Sequence, residues 1–334
     1  MLNDKFMSLP PPFVSSRVRV AGLLEVGLLL GLAGSWLGLL GGWHWMLDLG
    51  SHFRWQYVVA CLLALAWAGW RKRRWLLAAA LVSLGLNLWL MVRPEWQAPP
   101  GQPVPGFHVR VISFNVLTSN RNHAGVLQWL QAADADVIFL MEVDRGWAKA
   151  LQPLLRTHPH HLILPKSDNF GLALFSRLPL AGLRKLDSDV LGAGPHSDSD
   201  LCMDSVEARL KLGGRELLIL GTHPVPPMGR EYAAARDRQL LALSQHTAQA
   251  GLPVLVVGDL NATPWSHGFR QLAVKAPLLP APGAWKPTWR AGSLFAIPID
   301  HALCTPPLLF QSRNIGPDLG SDHRPQVMEL GWAG

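Results

Sequence analysis

The stretch Pro253-Val254-Leu255-Val256-Val257-Gly258-Asp259-Leu260-Asn261 places two polar side chains just after a short apolar run. Short apolar runs of this kind are typical of buried strands, so a strand is expected over residues 253–257. Loops at strand ends are held rigidly by the sheet, and functional residues collect there. Asp259 and Asn261 are therefore the first candidates for a site, although Asp259 alone would also suit a helix N-cap.

The same arrangement recurs four more times along the chain. Asn115, Glu142, His223 and Asp300 each lie at or just past the end of an apolar run. A single residue of this kind is usually a turn or cap residue. Together with Asp259, five such residues of acceptor or acid–base type indicate side chains that converge on one site.

Strand-like runs outnumber helix-like stretches in the later part of the chain. Helical spacing of apolar residues predicts helices over residues 124–133 and 230–250. Strands are expected over residues 109–114, 137–141, 171–176, 206–212, 216–222, 253–257, 301–305 and 326–330. Many neighbouring strands are joined by short turns, which favours an α/β sandwich of mixed sheets over a doubly wound parallel sheet.

The first hundred residues differ in composition from the rest. The chain is 49% hydrophobic and only 16% charged, and residues 1–100 hold nine of its fifteen tryptophans. Apolar runs cover residues 20–40, 55–70 and 75–92. A helix needs about 20 apolar residues to span a bilayer, and tryptophans flank the short second run as they do at membrane interfaces. The sequence therefore predicts three transmembrane helices.

These patterns divide the chain into three parts. Residues 1–92 form the membrane anchor. Five prolines between residues 93 and 107 predict a stiff, extended linker. Residues 108–334 have the composition of an ordinary globular domain and hold every candidate site residue named above.

Positive charges predict how the anchor is oriented. Arg71-Lys72-Arg73-Arg74 separates the second and third runs, and Lys5, Arg17 and Arg19 precede the first. Cytoplasmic loops carry such an excess of Lys and Arg. We expect a multi-pass protein of the cell inner membrane whose globular domain is periplasmic or extracellular. A cleaved signal sequence and buried core helices are the alternatives, and the missing A-x-A site and the tryptophan flanks argue against them.

The charge and the cysteines exclude some classes of function. The net charge of +7 divides into +5 for residues 1–100 and +2 for residues 101–334. The globular domain therefore lacks the basic excess expected of a tight DNA binder. No CxxC motif occurs, which argues against a cysteine zinc site. Cys202 and Cys304 could pair if their domain faces an oxidising space, and the sequence leaves this open.

Seven short motifs occur in the order found in a known superfamily. They are Ser113-Phe114-Asn115, Met141-Glu142-Val143, Gly171–Ser176 followed by Arg177 and Pro179, Gly221-Thr222-His223, Gly258-Asp259-Leu260-Asn261, Ile299-Asp300-His301 and Ser321-Asp322-His323-Arg324-Pro325. With this ordered set, the chain resembles the endonuclease/exonuclease/phosphatase superfamily, which includes deoxyribonuclease I-like nucleases, sphingomyelinases and inositol-polyphosphate phosphatases. The resemblance covers nearly all of residues 108–334.

The membrane-tethered bacterial branch of this superfamily is similar in further features. These are the three predicted spans and the motifs His223-Pro224 with Pro226-Pro227, Arg238-Gln239 and Pro287-Thr288-Trp289. The resemblance implies a four-layer α/β sandwich of two mixed β-sheets flanked by helices. It also implies a divalent cation, Mg²⁺ or Mn²⁺, because hard cations neutralise phosphate and prefer oxygen ligands. Glu142 is implied as the leading metal ligand, with Asn115 and Asp322 beside it.

The resemblance assigns catalysis to His223, Asp259, Asn261, Asp300 and His323. Asp259 would orient or deprotonate the attacking water, and Asn261 would hold that water or a phosphate oxygen. Asp300 would hold the ring of His323, which fixes its tautomer and favours the imidazolium. His223 would serve as a second acid or as a clamp on the phosphate.

Three functions remain open from the sequence. The first is nuclease-like, metal-dependent hydrolysis of a phosphodiester in nucleic acid. The second is a phosphatase or phospholipase C-type (sphingomyelinase-like) activity on phospholipid head groups, which tethering to a membrane would favour. The third is a catalytically inactive membrane scaffold, against which the intact set of motifs argues. No specific protein partner is inferred.

Overall fold

The computed structural model describes residues 20–92, 107–187, 201 and 203–333. The basic N-terminal tail, nearly all of the predicted linker and Cys202 lie outside the described residues. Two 3₁₀ segments accompany the helices, Gly38–Leu40 after the first and Gln152–Arg156 after the sixth. The helices are α1 (Val20–Leu37), α2 (Trp45–Ser51), α3 (Arg54–Trp70), α4 (Arg74–Met91), α5 (His123–Ala132), α6 (Arg145–Ala150), α7 (Arg230–Gln249) and α8 (His267–Leu272).

Helices α1, α3 and α4 pack side by side with small side chains inside and large apolar side chains outside. Arg54 is buried between them and donates to the Ser35 carbonyl oxygen at 2.6 Å and to Asn87 Oδ1 at 3.1 Å. On the outer faces, Leu30 and Leu63 are 68% and 59% exposed. This pattern is typical of helices packed within a bilayer. The buried core consists of Leu32, Cys61, Ala64, Ala68, Leu76 and Ala80.

Among the described residues, two helical segments are long and apolar enough to cross a membrane, Val20–Leu40 and Arg74–Met91. Helix α3 has only 17 residues, which is about 26 Å at a rise of about 1.5 Å per residue. The hydrocarbon core of a bilayer is about 30 Å thick. By length and composition, the structure thus gives two candidate spans where the sequence predicted three. Helix α2, which was not predicted, occupies the stretch between the first two apolar runs.

The rest of the described chain forms two six-stranded sheets. Their strand orders are β11-β12-β1-β2-β4-β3 and β5-β6-β7-β8-β10-β9. The strands are β1 (Val109–Asn115), β2 (Val137–Met141), β3 (His160–Leu164), β4 (Leu172–Ser176), β5 (Leu180–Leu186), β6 (Ser205–Leu212), β7 (Arg215–Thr222), β8 (Val254–Asp259), β9 (Leu279–Pro280), β10 (Asp300–Cys304), β11 (Leu308–Ile315) and β12 (Gln326–Trp332). Each sheet contains one parallel pair, β1 with β2 and β7 with β8, and both sheets are therefore mixed.

The two sheets pack face to face, and helices cover both outer faces. Phe139 and Leu174 of the first sheet meet Ile219 and Val257 of the second in the central core. The outer face of the first sheet packs against α5 and α6, and that of the second against α7 and α8. The predicted α/β architecture of two mixed sheets flanked by helices is therefore confirmed.

One edge of this sandwich collects strand ends from both sheets. Parallel strands end at the same edge, which places the ends of β1 and β2 together and those of β7 and β8 together. Strand β10 runs antiparallel to β8 with Asp300 opposite Asp259. Asp300 therefore begins its strand, whereas the sequence suggested that it follows the end of one. Antiparallel pairing returns it to the same edge as Asp259.

The anchor helices contact the sandwich at this edge as well. Trp265, six residues after Asp259, packs with Val58 of α3 and with Leu90 and Met91 of α4. Trp55 Nε1 donates to the Trp285 carbonyl oxygen at 3.1 Å. The end of the bundle formed by α2, the start of α3 and the end of α4 is thus the end that touches the sandwich.

Candidate active site

The end of β8 depends on a residue without a side chain. Gly258 has a φ of 147°, and a Cβ there would lie 1.9 Å from the carbonyl oxygen of Thr222. Only glycine tolerates both that backbone angle and that contact. Strands β7 and β8 can therefore approach closely where they end. The residues that follow Thr222 and Gly258 are the predicted site residues His223 and Asp259. His223 Nε2 lies 3.5 Å from Asp259 Oδ2.

The Asp259 carboxylate is the centre of the site. Its Oδ2 lies 3.5 Å from His323 Nε2 and accepts a hydrogen bond from Asn115 Nδ2 at 3.2 Å. Its Oδ1 accepts from the Asn261 amide at 2.9 Å. Burial alone would raise the pKa of Asp259, but the charge of His323 and the hydrogen bond from His223 lower it to about 2. The carboxylate is therefore an ionised acceptor at neutral pH.

His323 is held between two carboxylates. Its Nδ1 lies 2.9 Å from Asp300 Oδ2, and its Nε2 faces Asp259. Burial lowers the pKa of the His323 ring, but the negative charges of Asp300 and Asp259 outweigh burial and raise the pKa to about 10. The ring is therefore fixed in orientation and carries an imidazolium proton on the nitrogen that faces the cleft.

Glu142 follows β2 in an uncommon backbone conformation. Its φ is 62°, and that of Asn261 is 47°. Non-glycine residues rarely adopt such angles, and those that do are concentrated at functional sites. Glu142 Oε1 accepts from Asn115 Nδ2 at 2.9 Å, and its Oε2 accepts from the Thr118 amide at 3.1 Å. These contacts fix the carboxylate beside Asn115.

Asp322 leaves one of its oxygens without a partner. Its Oδ2 accepts from Trp289 Nε1 at 2.8 Å. Its Oδ1 is buried, lies 4.0 Å from His323 Nε2, and has no hydrogen-bond donor among the described residues. An unpaired buried carboxylate oxygen is costly, and a cation would remove that cost. By chemistry, the oxygens of Asn115, Glu142 and Asp322 fit a hard divalent ion.

A second group of donors lies beside the first. Asp259, Asp300 and His323 each offer one donor atom, these atoms lie within 4.8 Å of one another, and the group could hold a metal ion. However, Nδ1 of His323 is already bonded to Asp300, whereas Oδ1 of Asp322 has no hydrogen-bond donor among the described residues. We therefore interpret this group as a hydrogen-bonded network and favour the oxygen set as the metal site.

The structure brings all eight predicted site residues together. Six of them line a cleft of about 760 Å³, namely Glu142, His223, Asp259, Asn261, Asp322 and His323. The other two, Asn115 and Asp300, are 0% and 1% exposed and lie behind these residues. Asn261 Nδ2 donates to the Pro224 carbonyl oxygen at 2.9 Å, so its amide group ties the β7 and β8 loops together.

Three polar residues next to the site were not predicted. Asp48 Oδ2 of α2 lies 3.0 Å from Arg236 Nη2 of α7, and Arg236 Nη1 donates to the Asn261 carbonyl oxygen at 3.0 Å. His52 Nδ1 accepts from the Thr263 amide at 3.3 Å. Asp48 and His52 thus support the loop after β8 from the anchor. No local pattern signals these contacts, because they join residues 188 and 211 positions apart.

His301 and Cys304 do not enter the site. His301 Nε2 bonds the carbonyl oxygens of Ala262 and Pro298 at 2.9 and 3.1 Å, and burial lowers the pKa of its ring to about 3. The Cys304 thiol donates to the Leu308 carbonyl oxygen at 3.3 Å. The possible pairing of Cys304 with Cys202 lies outside the described residues.

The sequence model of the Endonuclease/Exonuclease/phosphatase family matches residues 112–323, a range that contains all eight site residues. The chain belongs to the endonuclease/exonuclease/phosphatase family. Enzymes of the endonuclease/exonuclease/phosphatase family are hydrolases that act on phosphodiesters and use divalent metal ions. Comparison with curated protein sequences gives no match.

Solved structures of the endonuclease/exonuclease/phosphatase family share this fold. The human Nocturnin catalytic domain with bound sulfate has a TM-score of 0.55 and 21% identity, covering 72% of this chain and 98% of that chain. Humanized D. rerio TDP2 has a TM-score of 0.55 and 16% identity, covering 67% and 99%. The family protein from Bacteroides vulgatus has a TM-score of 0.54 and 20% identity, again covering 67% and 99%. At these identities the likeness establishes the fold alone.

Proposed function

We propose that this chain is a membrane-anchored, metal-dependent phosphodiesterase. The observation that carries the proposal is the convergence of the predicted residues. Each of the eight lies within 4.0 Å of at least one other, and these contacts join all eight into one network. They come from six separate stretches of chain, so a structural role for each alone would not bring them to one cleft. The set comprises Asn115, Glu142, His223, Asp259, Asn261, Asp300, Asp322 and His323.

The polar residues of the cleft suit hydrolysis of an anionic ester. The ionised Asp259 accepts a hydrogen bond from the attacking water and orients it. His223 and His323 donate to phosphate oxygens, and removing a preorganised donor of this kind typically costs about 10²–10³ in kcat. Asp300 positions His323. Mg²⁺ bound by Asn115, Glu142 and Asp322 would supply the positive charge that neutralises the phosphate.

The helices support an anchor that spans the membrane three times. Helix α1 leads towards the sandwich, and α4 returns to it from the basic turn that follows α3. The chain must therefore cross between them, and α3 provides that crossing with Trp55 and Trp70 near its ends. The basic turn Arg71-Lys72-Arg73-Arg74 lies at the end of α3 opposite the sandwich. By the positive-inside rule, this arrangement supports a sandwich outside the cytoplasm.

Fusions after Gly334 test this orientation. Alkaline phosphatase, which is active only outside the cytoplasm, should be active there, and a cytoplasmic fluorescent reporter should be dark. The same pair fused after Lys72 should give the reverse result. Activity of the fluorescent reporter after Gly334 would show that the orientation is wrong.

Catalysis is tested with the full-length protein in nanodiscs and bis(p-nitrophenyl) phosphate. Hydrolysis should require Mg²⁺ or Mn²⁺, stop with EDTA, and fall by about 10³-fold or more in Asp259→Ala. The matched control is Asp134→Asn, since the Asp134 carboxylate is 83% exposed and remote in the fold, and asparagine tolerates the φ of 52° at this position. If the wild type and Asp259→Ala are both folded and neither hydrolyses the ester, the membrane scaffold becomes the better explanation.

Nucleic acid is one candidate substrate of the proposed phosphodiesterase. D. rerio TDP2, which shares the fold, has been crystallised with a single-stranded DNA product. The charge of the sandwich argues the other way, because residues 101–334 carry a net +2 only. A panel of single-stranded DNA, RNA, sphingomyelin and phosphoinositides with Mg²⁺ separates these substrates. Rates on nucleic acid far above those on lipids would favour the nuclease.

A further inference from the structure

The active-site cleft has one wall that belongs to the anchor. Leu49 at the end of α2, His52, and Phe53 just before α3 line the same cleft as Asp259 and His323. Leu49 and Phe53 are partly exposed, so their side chains remain available to a bound molecule. We refer to residues 49–53 as the anchor corner.

Apolar side chains make up a further part of the cleft lining. Met228 in the loop after β7, Tyr232 at the start of α7, Phe170 and Ile297 line the cleft together with Leu49 and Phe53. Met228 is 80% exposed, although large apolar side chains are normally buried. Exposed apolar side chains grouped around a polar site indicate a surface that binds an apolar group.

The charges along the cleft also favour a substrate with an apolar group. Within the described part of the chain, the cleft is lined by histidines and carboxylates but by no lysine or arginine. A groove that follows a nucleic-acid strand needs cations for the phosphates on either side of the scissile one. This cleft instead offers one cluster of acid–base residues for a single phosphate, and the rest of its lining is mostly apolar, with Asp168 and Asn169 as polar residues beside Phe170.

We propose that the substrate is an amphiphile, a membrane lipid whose phosphoester reaches the cluster of acid–base residues while its apolar part lies against the anchor corner. The proposal rests on the phosphodiesterase function proposed above and names its substrate class. The anchor corner leads directly into α3, which is proposed above to cross the membrane. A lipid in the bilayer would therefore lie next to this side of the cleft.

The anchor corner also offers one polar group for such a molecule. His52 is 5% exposed, and its Nδ1 accepts from the Thr263 amide. Its Nδ1 also lies 3.1 Å from Thr263 Oγ1, and its Nε2 is buried with no hydrogen-bond partner among the described residues. Leaving such a nitrogen unpaired is unfavourable, and a polar group of a bound lipid would pair with it.

Three p-nitrophenyl phosphodiesters that share one leaving group test the proposal. They carry a methyl, an n-octyl or a 5′-thymidyl group as the second ester, and are given to the full-length protein in nanodiscs with Mg²⁺. Each buried methylene is worth up to about fourfold in binding. We therefore expect kcat/KM for the octyl ester to exceed that for the methyl ester by at least tenfold. The thymidyl ester should gain less than the octyl ester.

Two exposed apolar residues give a matched pair of variants. Met228→Ser should lower the octyl-to-methyl ratio several-fold. Leu294→Ser should leave it unchanged, because Leu294 is 85% exposed and does not line the cleft. Since both variants sit in the same nanodiscs, any partitioning of the octyl ester into lipid affects them equally. Phe53→Ser extends the test to the anchor corner, with thermal unfolding as the check that it folds.

The outcomes separate the two proposals. Metal-dependent hydrolysis that needs Asp259 but shows equal rates on the methyl and octyl esters overturns the lipid proposal and keeps the phosphodiesterase. A thymidyl ester preferred over the octyl ester also overturns it and favours nucleic acid. If the folded protein hydrolyses none of the esters, the phosphodiesterase proposal is wrong, and the lipid proposal that rests on it is wrong as well.

Discussion

Asp48 and Arg236 form a buried ion pair that joins the anchor to the sandwich. Their side chains are 5% and 1% exposed, and Asp48 Oδ2 lies 3.0 Å from Arg236 Nη2. The Arg236 guanidinium also contacts Asp237 at 2.8 Å and the Asn261 carbonyl oxygen at 3.0 Å. A single guanidinium thus connects α2, α7 and the loop that follows Asp259 and carries Asn261.

Replacing Asp48 by Asn should lower both the stability of the protein and its rate of hydrolysis. Removing one partner of a buried ion pair leaves the other charge uncompensated and costs about 3 kcal/mol or more. Asp237 offsets part of this cost for Arg236. We expect a clearly lower unfolding midpoint in nanodiscs and a reduced kcat. Asp134→Asn, which removes the exposed partner of Arg177, should change neither, and an equal effect of both variants would contradict the role of Asp48.

Replacing Asp300 by Asn should lower kcat by about 10²–10⁴ with little change in KM. The amide cannot support the positive His323 ring that Asp300 contacts at 2.9 Å. Steady-state kinetics on bis(p-nitrophenyl) phosphate give both constants. Asp318→Asn is the control, because its carboxylate is 65% exposed and pairs with Arg324 near the same edge. A small loss in Asp300→Asn would remove His323 positioning from the mechanism.

Replacing Asp322 by Asn should raise the Mg²⁺ concentration needed for half-maximal activity by at least about tenfold. The buried Oδ1 without a hydrogen-bond donor is the oxygen assigned to the metal. Calorimetric titration with Mn²⁺ measures the same change without turnover. If Asp322→Asn binds Mn²⁺ normally while Asp300→Asn does not, the metal belongs to the group of Asp259, Asp300 and His323.

Mild acid should weaken the contact between anchor and sandwich through His52. Burial and the nearby Arg236 lower the pKa of His52 from 6.5 to about 4, and Arg54 adds to this while Asp48 opposes it. As the pH falls below 6.5, the unfolded chain binds a proton that the folded chain refuses, so stability decreases and the loss is complete near pH 4. At about 1.4 kcal/mol per unit, the full loss is roughly 3 kcal/mol.

Unfolding midpoints between pH 7.5 and 4.5 measure this loss. Other titrating groups contribute as well, so the comparison is with His52→Gln, which cannot take up the proton. The midpoint of the variant should fall less steeply with acid than that of the wild type. Parallel curves for the two proteins would show that His52 does not titrate on unfolding.

The sequence predicted those parts of the fold that are buried on both sides. Strands β1, β2, β4 and β8 are apolar runs with almost every residue buried, and each was located within a residue or two. Strand β3 is a partly buried edge strand, β5 is an edge strand with mostly exposed residues, and β11 alternates irregularly, so no clear apolar run marks them. Their positions follow from pairing with neighbours, which a local pattern does not contain.

The same distinction applies to the site. The eight polar residues were predictable because each follows or precedes a strand within an ordered set of motifs. Asp48, His52 and Arg236 were not, since their roles arise only when α2 folds back onto α7. The second apolar run was expected to span a membrane on composition and flanking tryptophans. The 17 residues of α3 give it a length of about 26 Å, so its proposed crossing rests on the path of the chain between α1 and α4 and not on its length.

The anchor corner has a practical consequence for work with fragments. A soluble piece beginning at residue 107 would retain every one of the eight polar residues and the complete pair of sheets. Its cleft would nevertheless lack the wall formed by the anchor corner. Trp265 would be exposed to solvent, and Arg236 would lose its ion pair with Asp48. Substrate preferences measured on such a piece would describe an enzyme of different selectivity, and screens intended to find the natural substrate should keep the helices attached.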